Sequence, residues 1–278
     1  MGPGDALLAA GAGLLAGAVN AIAGGGTLIA FPALLATGLP ALTANITCSV
    51  GLVTGYAGGA VGYRRELADQ VDRLRALGPP ALLGGLIGAV ILLATPSSSF
   101  RAVVPYLVLA SCLLLAAQTR LAAVVARRRA HTVTPVTTPT ATPVTTPAVP
   151  AAGAQPPAAR TVTWPTRFGV LIAGVYGSYF GAGLGVLLLG VLGILLTDDL
   201  QRTNGLKTLL AFGVNAVGVV VFLITAKVAW GYAGILVVAS LAGGLIGARI
   251  ARRMHPALLR AAVITLGVVV AIVLLVRG

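Results

Sequence analysis

Two glycine-rich stretches within apolar sequence carry the residues that could do chemistry. The first reads NAIAGGGTLIAFP, from Asn20 to Pro32, and the second contains GAGLG, from Gly181 to Gly185. Glycine in a helix interior is about 1 kcal/mol less favourable than alanine, so each stretch predicts a broken helix. Helix ends at such breaks expose N–H groups with partial positive charge, which suits an anion. The candidate substrate-binding residues are these glycines and nearby polar residues of both halves: Asn20, Gly24, Gly25, Gly26, Thr27, Asn45, Thr47, Gly181, Gly183, Gly185, Asn204 and Lys207.

The glycines and Lys207 each have an alternative explanation. Glycine also lets helices pack closely, and the motif GGLIGA at 84–89, which is outside the candidate set, is better explained by packing than by binding. Lys207 is the only basic residue placed to enter a helix bundle, and it could instead extend along its helix to the lipid headgroups.

Residues for other kinds of chemistry are scarce. Cys48 and Cys112 lie in apolar runs, and His131 and His255 are far apart, so no metal site or nucleophile–base pair is indicated. All six carboxylates lie at or near the ends of apolar segments, so the usual intramembrane proton or sodium relay is absent. We therefore predict no enzyme activity, no catalytic residues, no metal and no cofactor.

The composition predicts an all-α protein with many membrane spans. The chain is 58% hydrophobic and 9% charged, whereas soluble domains carry about 25% charged residues. The net charge of +13 is better explained by basic cytoplasmic loops than by nucleic-acid binding, because no basic patch contains aromatic residues. The expected partners are the lipid bilayer and a small anionic substrate, with a homodimer as a further expectation and no nucleic acid.

The chain contains two similar halves. GGLIGAVI at 84–91 recurs as GGLIGARI at 243–250, an offset of 159 residues that also pairs Arg101 with Arg260. GAVNAIAGGG at 17–26 aligns with GVYGSYFGAG at 174–183 at an offset of 157, and a two-residue gap then pairs Asn45 with Asn204. We predict a first membrane repeat at 1–126, a disordered Thr/Pro-rich linker at 127–166 and a second membrane repeat at 167–278.

Two topologies fit the spans. If each glycine stretch is a re-entrant hairpin, six full crossings remain and the halves are inverted, with only Arg101, Lys227 and Arg277 outside. If each stretch crosses once, there are eight crossings, and four arginines between Arg249 and Arg260 lie outside. The distribution of basic residues favours the inverted arrangement. Inverted repeats with interrupted helices are typical of transporters that bind their substrate near the bilayer midplane.

The same stretches resemble a known family. AGAVNAIAGGGTLIAFPALLATGLPALTANITCSV at 16–50 resembles the first signature of the TauE/SafE sulfite exporter family, and GVYGSYFGAGLGVLLLGVL at 174–192 with TNGLKTLL at 203–210 resembles the second. The second half departs from the pattern of the first, because Leu189 stands at the position of Pro32 and Ala182 replaces one glycine.

The resemblance implies a multi-pass transporter in the bacterial plasma membrane that exports a small sulfur-containing anion such as sulfite or an organosulfonate. A passive anion channel or a transporter of another small anion is the alternative, and a membrane assembly factor is a further one. The residues alone indicate an anion site between inverted repeats, whereas sulfur enters only through the resemblance.

Overall fold

A computed structural model describes residues 1–22, 24–132, 162–196, 200–250 and 256–277. The described residues form α-helices joined by short turns. In chain order the helices are α1 (Pro3–Ile22), α2 (Thr27–Ala36), α3 (Ala41–Gly62), α4 (Arg64–Leu67), α5 (Val71–Ala94), α6 (Ser97–Thr132), α7 (Trp164–Tyr179), α8 (Leu184–Leu195), α9 (Leu200–Thr225), α10 (Trp230–Ile250) and α11 (Pro256–Arg277). The prediction of an all-α membrane protein is confirmed.

The apolar helices fall into two length classes. Among the described residues, four segments are long and apolar enough to cross a membrane: Pro3–Ala21, Val71–Ala94, Ser97–Ala117 and Gln201–Thr225. The helices that follow the glycine stretches are shorter, with 10 residues in α2 and 12 in α8. At 1.5 Å per residue, helices this short reach only about half-way across a bilayer core of about 30 Å.

Three helices run in one direction. From the N-terminal end of α1 onward, Asp5 contacts Tyr232, Gly13 contacts Leu236 and Gly17 contacts Ser240, so α1 and α10 are parallel. Gly17 also lies against Gly55, and Ala21 lies against Gly59, so α1 and α3 are parallel too. Because α1 and α3 are parallel neighbours, α2 must return the chain between them.

Helices α5, α7 and α9 run in the opposite direction. Gly84 lies on Leu171 and Gly88 on Val175, which makes α5 and α7 parallel. Contacts from Gln70 to Arg202 and from Gly85 to Val214 make α5 and α9 parallel as well. Between the two groups the direction reverses. Gly59 of α3 meets Thr208, whereas Tyr63, just beyond the end of α3, meets Gly205, so α3 and α9 are antiparallel.

Close helix crossings in one half have counterparts in the other half at the offsets of 157 and 159 residues. Each crossing brings a glycine against the backbone of another helix, so a side chain there would collide with main-chain atoms. The contact of Gly84 with Leu171 corresponds to that of Gly243 with Leu14. The contact of Gly85 with Val214 corresponds to that of Gly244 with Gly55, and the contact of Gly174 with Ala81 corresponds to that of Gly17 with Ser240. GGLIGA at 84–89 therefore contributes to packing, as the sequence indicated.

The helices bordering the predicted linker extend into it. Helix α6 continues to Thr132, because the Ala- and Arg-rich sequence before that residue favours helix. Helix α7 begins at Trp164, with a proline in its first turn, where proline is tolerated. The Thr/Pro tract at 133–161 lies outside the described residues.

Candidate functional site

The two glycine breaks contact each other in the interior of the protein. Gly24 has φ +83°, and a Cβ atom built on it would lie 2.6 Å from the Cα atom of Gly185. On the other side of this contact, Gly181 has φ +80°, and a Cβ atom there would lie 3.5 Å from Oγ1 of Thr27. Only glycine readily combines a positive φ with such an approach. The structure therefore brings together the two stretches that the sequence singled out.

The first break is held by a side chain of α1. Helix α1 ends at Ile22, and the Oδ1 atom of Asn20 accepts a 2.7 Å hydrogen bond from the N–H group of Gly26, just before α2 begins. The Nδ2 group of the same Asn20 is buried and has no hydrogen-bond partner in the described part of the chain. The N–H groups of Gly25 and Thr27 make no hydrogen bond to the described residues. Unused donors therefore collect at the start of α2.

The second break is held from a different helix. Helix α7 ends at Tyr179, and Gly183, with φ +86°, precedes α8. The Oγ group of Ser111 on α6 donates to the carbonyl oxygen of Ala182 at 3.0 Å and lies 2.6 Å from the hydroxyl oxygen of Tyr176. Here the N–H groups of Ala182, Gly183 and Gly185 make no hydrogen bond to the described residues. The first N–H groups of a helix have no partner within the helix, so these donors are free to bind a ligand or water.

Asn45 and Thr47 take different places although they are two residues apart on α3. The Nδ2 group of Asn45 donates to the carbonyl oxygen of Tyr179 at 3.0 Å, at the end of α7. Its Oδ1 atom is buried and accepts no hydrogen bond from the residues that the structure describes. Thr47 instead accepts a 3.1 Å hydrogen bond from the N–H group of Ala229, at the start of α10. The structure thus places Asn45 beside the second break, whereas Thr47 caps another helix.

Lys207 is buried inside the bundle. The residue is 1% exposed, and its Nζ group has no hydrogen-bond partner among the described residues. The next residue, Thr208, packs its methyl group against Gly59, which contacts Ala21 near the end of α1. Asn204 is half-buried one turn earlier, and its carbonyl oxygen accepts from the Thr208 hydroxyl at 2.8 Å. The buried position does not fit a lysine that reaches the headgroups.

The described acidic residues do not neutralise Lys207. Ion pairs among the described residues include Arg202 with Asp69, at 3.1 Å, and Arg75 with Asp72, at 3.8 Å, whereas Nζ of Lys207 has no hydrogen-bond partner among those residues. Within the same part of the chain, no cluster of His, Cys, Asp and Glu could hold a metal ion. Burying an ammonium group without a counter-charge destabilises a protein by several kcal/mol, and an anion bound near Lys207 would offset this cost.

Sequence reasoning missed Ser111 and Tyr176. Ser111 lies outside both glycine-rich stretches and is separated from Ala182 by 71 residues, and Tyr176 lies within the second stretch at 174–192 but was not among the predicted site residues. A serine in an apolar helix commonly bonds to the carbonyl four residues before it, as Ser111 does to Leu107 at 2.7 Å. Only the packing of α6 against the second break distinguishes this serine from others.

Comparisons with known proteins agree with the membrane fold. The family model described as "Sulfite exporter TauE/SafE" matches residues 9–274. A Haemophilus influenzae protein named "Probable membrane transporter protein" is 22% identical over 255 residues, which cover 91% of this chain and 87% of that protein. A Sinorhizobium protein named "Probable membrane transporter protein ORF9" is 28% identical over 102 residues, 37% of this chain and 39% of that protein. No solved structure matches the chain significantly.

Proposed function

Because the chain belongs to the TauE/SafE sulfite exporter family and is a multi-pass membrane transporter, we propose that it exports a small sulfur-containing anion. The substrate is sulfite or an organosulfonate, and the path leads from the bacterial cytoplasm across the plasma membrane. The family supplies the expectation of sulfur chemistry and of export. The two relatives support transport and say nothing of the substrate.

The observation that carries this proposal is the set of unpaired N–H groups at the two touching breaks. Gly25 and Thr27 contribute two of these groups, and Ala182, Gly183 and Gly185 contribute three. Each break lies at the start of a helix, where the helix dipole adds partial positive charge. An oxyanion with several acceptor oxygens can use donors that a neutral or cationic solute cannot.

Lys207 supplies the charge that selects an anion over a neutral solute. Its buried ammonium has no acidic partner among the described residues, so a loaded site is closer to electroneutral than an empty one. Asn20 adds a neutral donor through its free Nδ2 group. Site residues thus come from both halves, as in carriers whose substrate lies at the interface of two repeats.

We further infer that the halves are inverted repeats. Helices α1 and α7 correspond in the sequence, and their neighbours α3 and α9 are antiparallel. The helices α2 and α8 then form the returning arms of two hairpins. With the basic loop at 64–75 in the cytoplasm, both chain termini lie outside.

A flux screen in proteoliposomes tests the function. The purified protein is reconstituted, and uptake of sulfite, sulfate, thiosulfate, sulfoacetate and taurine is measured against empty vesicles. The expected result is saturable flux of sulfite or a sulfonate that accelerates when the same anion is present on the opposite side. Flux that rises linearly with concentration and lacks this acceleration would indicate the alternative, a passive anion channel.

A further inference from the structure

Resting on the proposed anion site, we propose that Ser111 is a positioning residue that turns the second glycine break toward the anion. Ser111 lies on α6, outside both glycine motifs, and its side chain is fully buried. Its Cα atom lies 3.8 Å from a Cβ atom built on Gly183, so α6 packs directly on the break. Nothing else in the described structure bonds to the carbonyl group of Ala182.

The hydrogen bonds around Ser111 fix the direction in which it donates. A hydroxyl has one proton, and the carbonyl oxygens of Leu107 and Ala182 can only accept. The Tyr176 hydroxyl has no other partner within the described residues, so the arrangement that satisfies both hydroxyls has Tyr176 donating to Ser111. The proton of Ser111 is then shared between the two carbonyl oxygens. Tyr176 thereby orients Ser111 without contacting Ala182.

The direction of one carbonyl sets the direction of the next N–H group. The peptide bond between Ala182 and Gly183 is trans and planar, so its C=O and N–H groups point to opposite sides. Since Ser111 holds the C=O group on the side of α6, the N–H group of Gly183 points away from α6. The serine removes an acceptor oxygen from the site and leaves a donor in it.

The first break has no serine that corresponds to Ser111. At the offset of 159 residues that relates α6 to α11, Val270 stands in place of Ser111 and has no hydroxyl. Asn20 holds the first break instead, and it uses the N–H group of Gly26 to do so. The hydrogen bond that holds the first break therefore uses a backbone N–H donor, whereas the one that holds the second break uses a backbone carbonyl acceptor. Among the described residues the second break therefore keeps three unpaired backbone N–H groups, whereas the first keeps two.

A pair of serine variants separates positioning from general packing. Ser240 on α10 is the matched control, because it is also fully buried and donates to a backbone carbonyl, that of Gly51, at 2.7 Å. It lies at the crossing of α10 with α3 and α1, away from the second break. Ser111→Ala, Ser111→Thr, Tyr176→Phe and Ser240→Ala are compared in proteoliposomes for sulfite KM and maximal rate per molecule. The rise in unfolding temperature caused by sodium sulfite, against sodium chloride of equal ionic strength, is measured in detergent.

Ser111→Ala should raise KM for sulfite about tenfold, the equivalent of one hydrogen bond, and leave the maximal rate nearly unchanged. It should also reduce the sulfite-induced rise in unfolding temperature. Ser111→Thr should restore both values, Tyr176→Phe should fall between, and Ser240→Ala should keep the wild-type KM. Equal KM values in the two alanine variants, with equal rises in unfolding temperature, would overturn the inference. If sulfite stabilises the wild-type protein but no flux is measured, the proposed transport is contradicted. In that case, loss of the stabilisation in Ser111→Ala but not in Ser240→Ala would still support the positioning role.

Discussion

Gly24 and Gly185 touch backbone to backbone, although 161 residues separate them in the chain. A Cβ atom on Gly24 would lie 2.6 Å from the Cα atom of Gly185, closer than real Cβ atoms approach other heavy atoms. This contact sets how closely the two breaks approach each other. It makes the geometry of the site depend on the absence of a single methyl group.

Gly24→Ala should therefore abolish transport. The new methyl group meets backbone rather than a flexible side chain, and alanine is strained at φ +83°, so the breaks must separate at a cost of about 1–3 kcal/mol. The measurement is sulfite flux per molecule of folded protein, with abundance from fluorescence size-exclusion chromatography. Gly234→Ala is the control, because a Cβ atom there meets nothing within 4 Å. Normal flux in Gly24→Ala would contradict the close approach of the breaks.

Gly25→Leu separates filling of the site from strain. Gly25 is buried, but a Cβ atom there meets Leu115 at an ordinary 3.4 Å, so alanine should be tolerated. Leucine adds three further carbon atoms next to the unpaired N–H groups and should abolish flux while protein still reaches the membrane. We expect Gly25→Ala to retain most of the flux, measured in the same vesicles. Low abundance of Gly25→Leu with normal flux per molecule would show that the break only packs.

Lys207→Met should weaken the apparent affinity without loss of fold. Methionine keeps much of the shape and removes a charge that has no partner, so the unfolding temperature should stay constant or rise. The KM for sulfite should increase about tenfold or more, because a hydrogen bond to a charged group contributes about 1.5–3 kcal/mol. Lys227→Met is the control, since that lysine is exposed. An unchanged KM in Lys207→Met would remove Lys207 from the site.

The inverted arrangement makes a prediction about the chain ends. In a protein whose Cys48 and Cys112 are replaced by alanine, single cysteines are introduced at Gly2 and Arg75, both of which are exposed. A membrane-impermeant maleimide added to intact cells should label the cysteine at 2 and leave the one at 75 unlabelled until the cells are lysed. The reverse pattern would exclude a cytoplasmic location of the basic loop.

The sequence predicted both helix breaks, because clustered glycines disfavour helix whatever surrounds them. It also predicted that Asn20 and Asn45 would lie near the breaks, since both are polar residues in apolar runs. The contact of Thr47 with Ala229 could not be predicted, because 182 residues separate the partners and a threonine in an apolar helix has many ways to satisfy its hydroxyl. The direction of neighbouring helices likewise depends on tertiary contacts such as that of Gly59 with Thr208.

Transport should respond to membrane potential. Moving one negative charge outward through 100 mV, negative inside, releases about 2.3 kcal/mol, which supports an anion gradient of roughly fiftyfold. Potassium gradients with valinomycin set the potential in proteoliposomes, and accumulation of sulfite is measured at each value. Accumulation should follow the sign and size of the potential at constant pH. Accumulation that needs a pH gradient and ignores the potential would indicate proton coupling instead.

Asn20→Asp distinguishes the structural role of this side chain from its role toward the anion. An aspartate can still accept from the N–H group of Gly26, and carboxylates are favourable at helix N-termini, so α2 should form normally. The buried Nδ2 donor, however, is replaced by an oxygen that carries negative charge and repels an anion. Because a buried carboxylate is costly, the unfolding temperature should fall, and sulfite flux per molecule of folded protein should fall at least about hundredfold, the equivalent of a lost charge-assisted hydrogen bond of about 3 kcal/mol. Asn20→Ala, which loses the cap as well, should lower both stability and flux. If Asn20→Asp transports sulfite normally, its free Nδ2 group does not face the substrate.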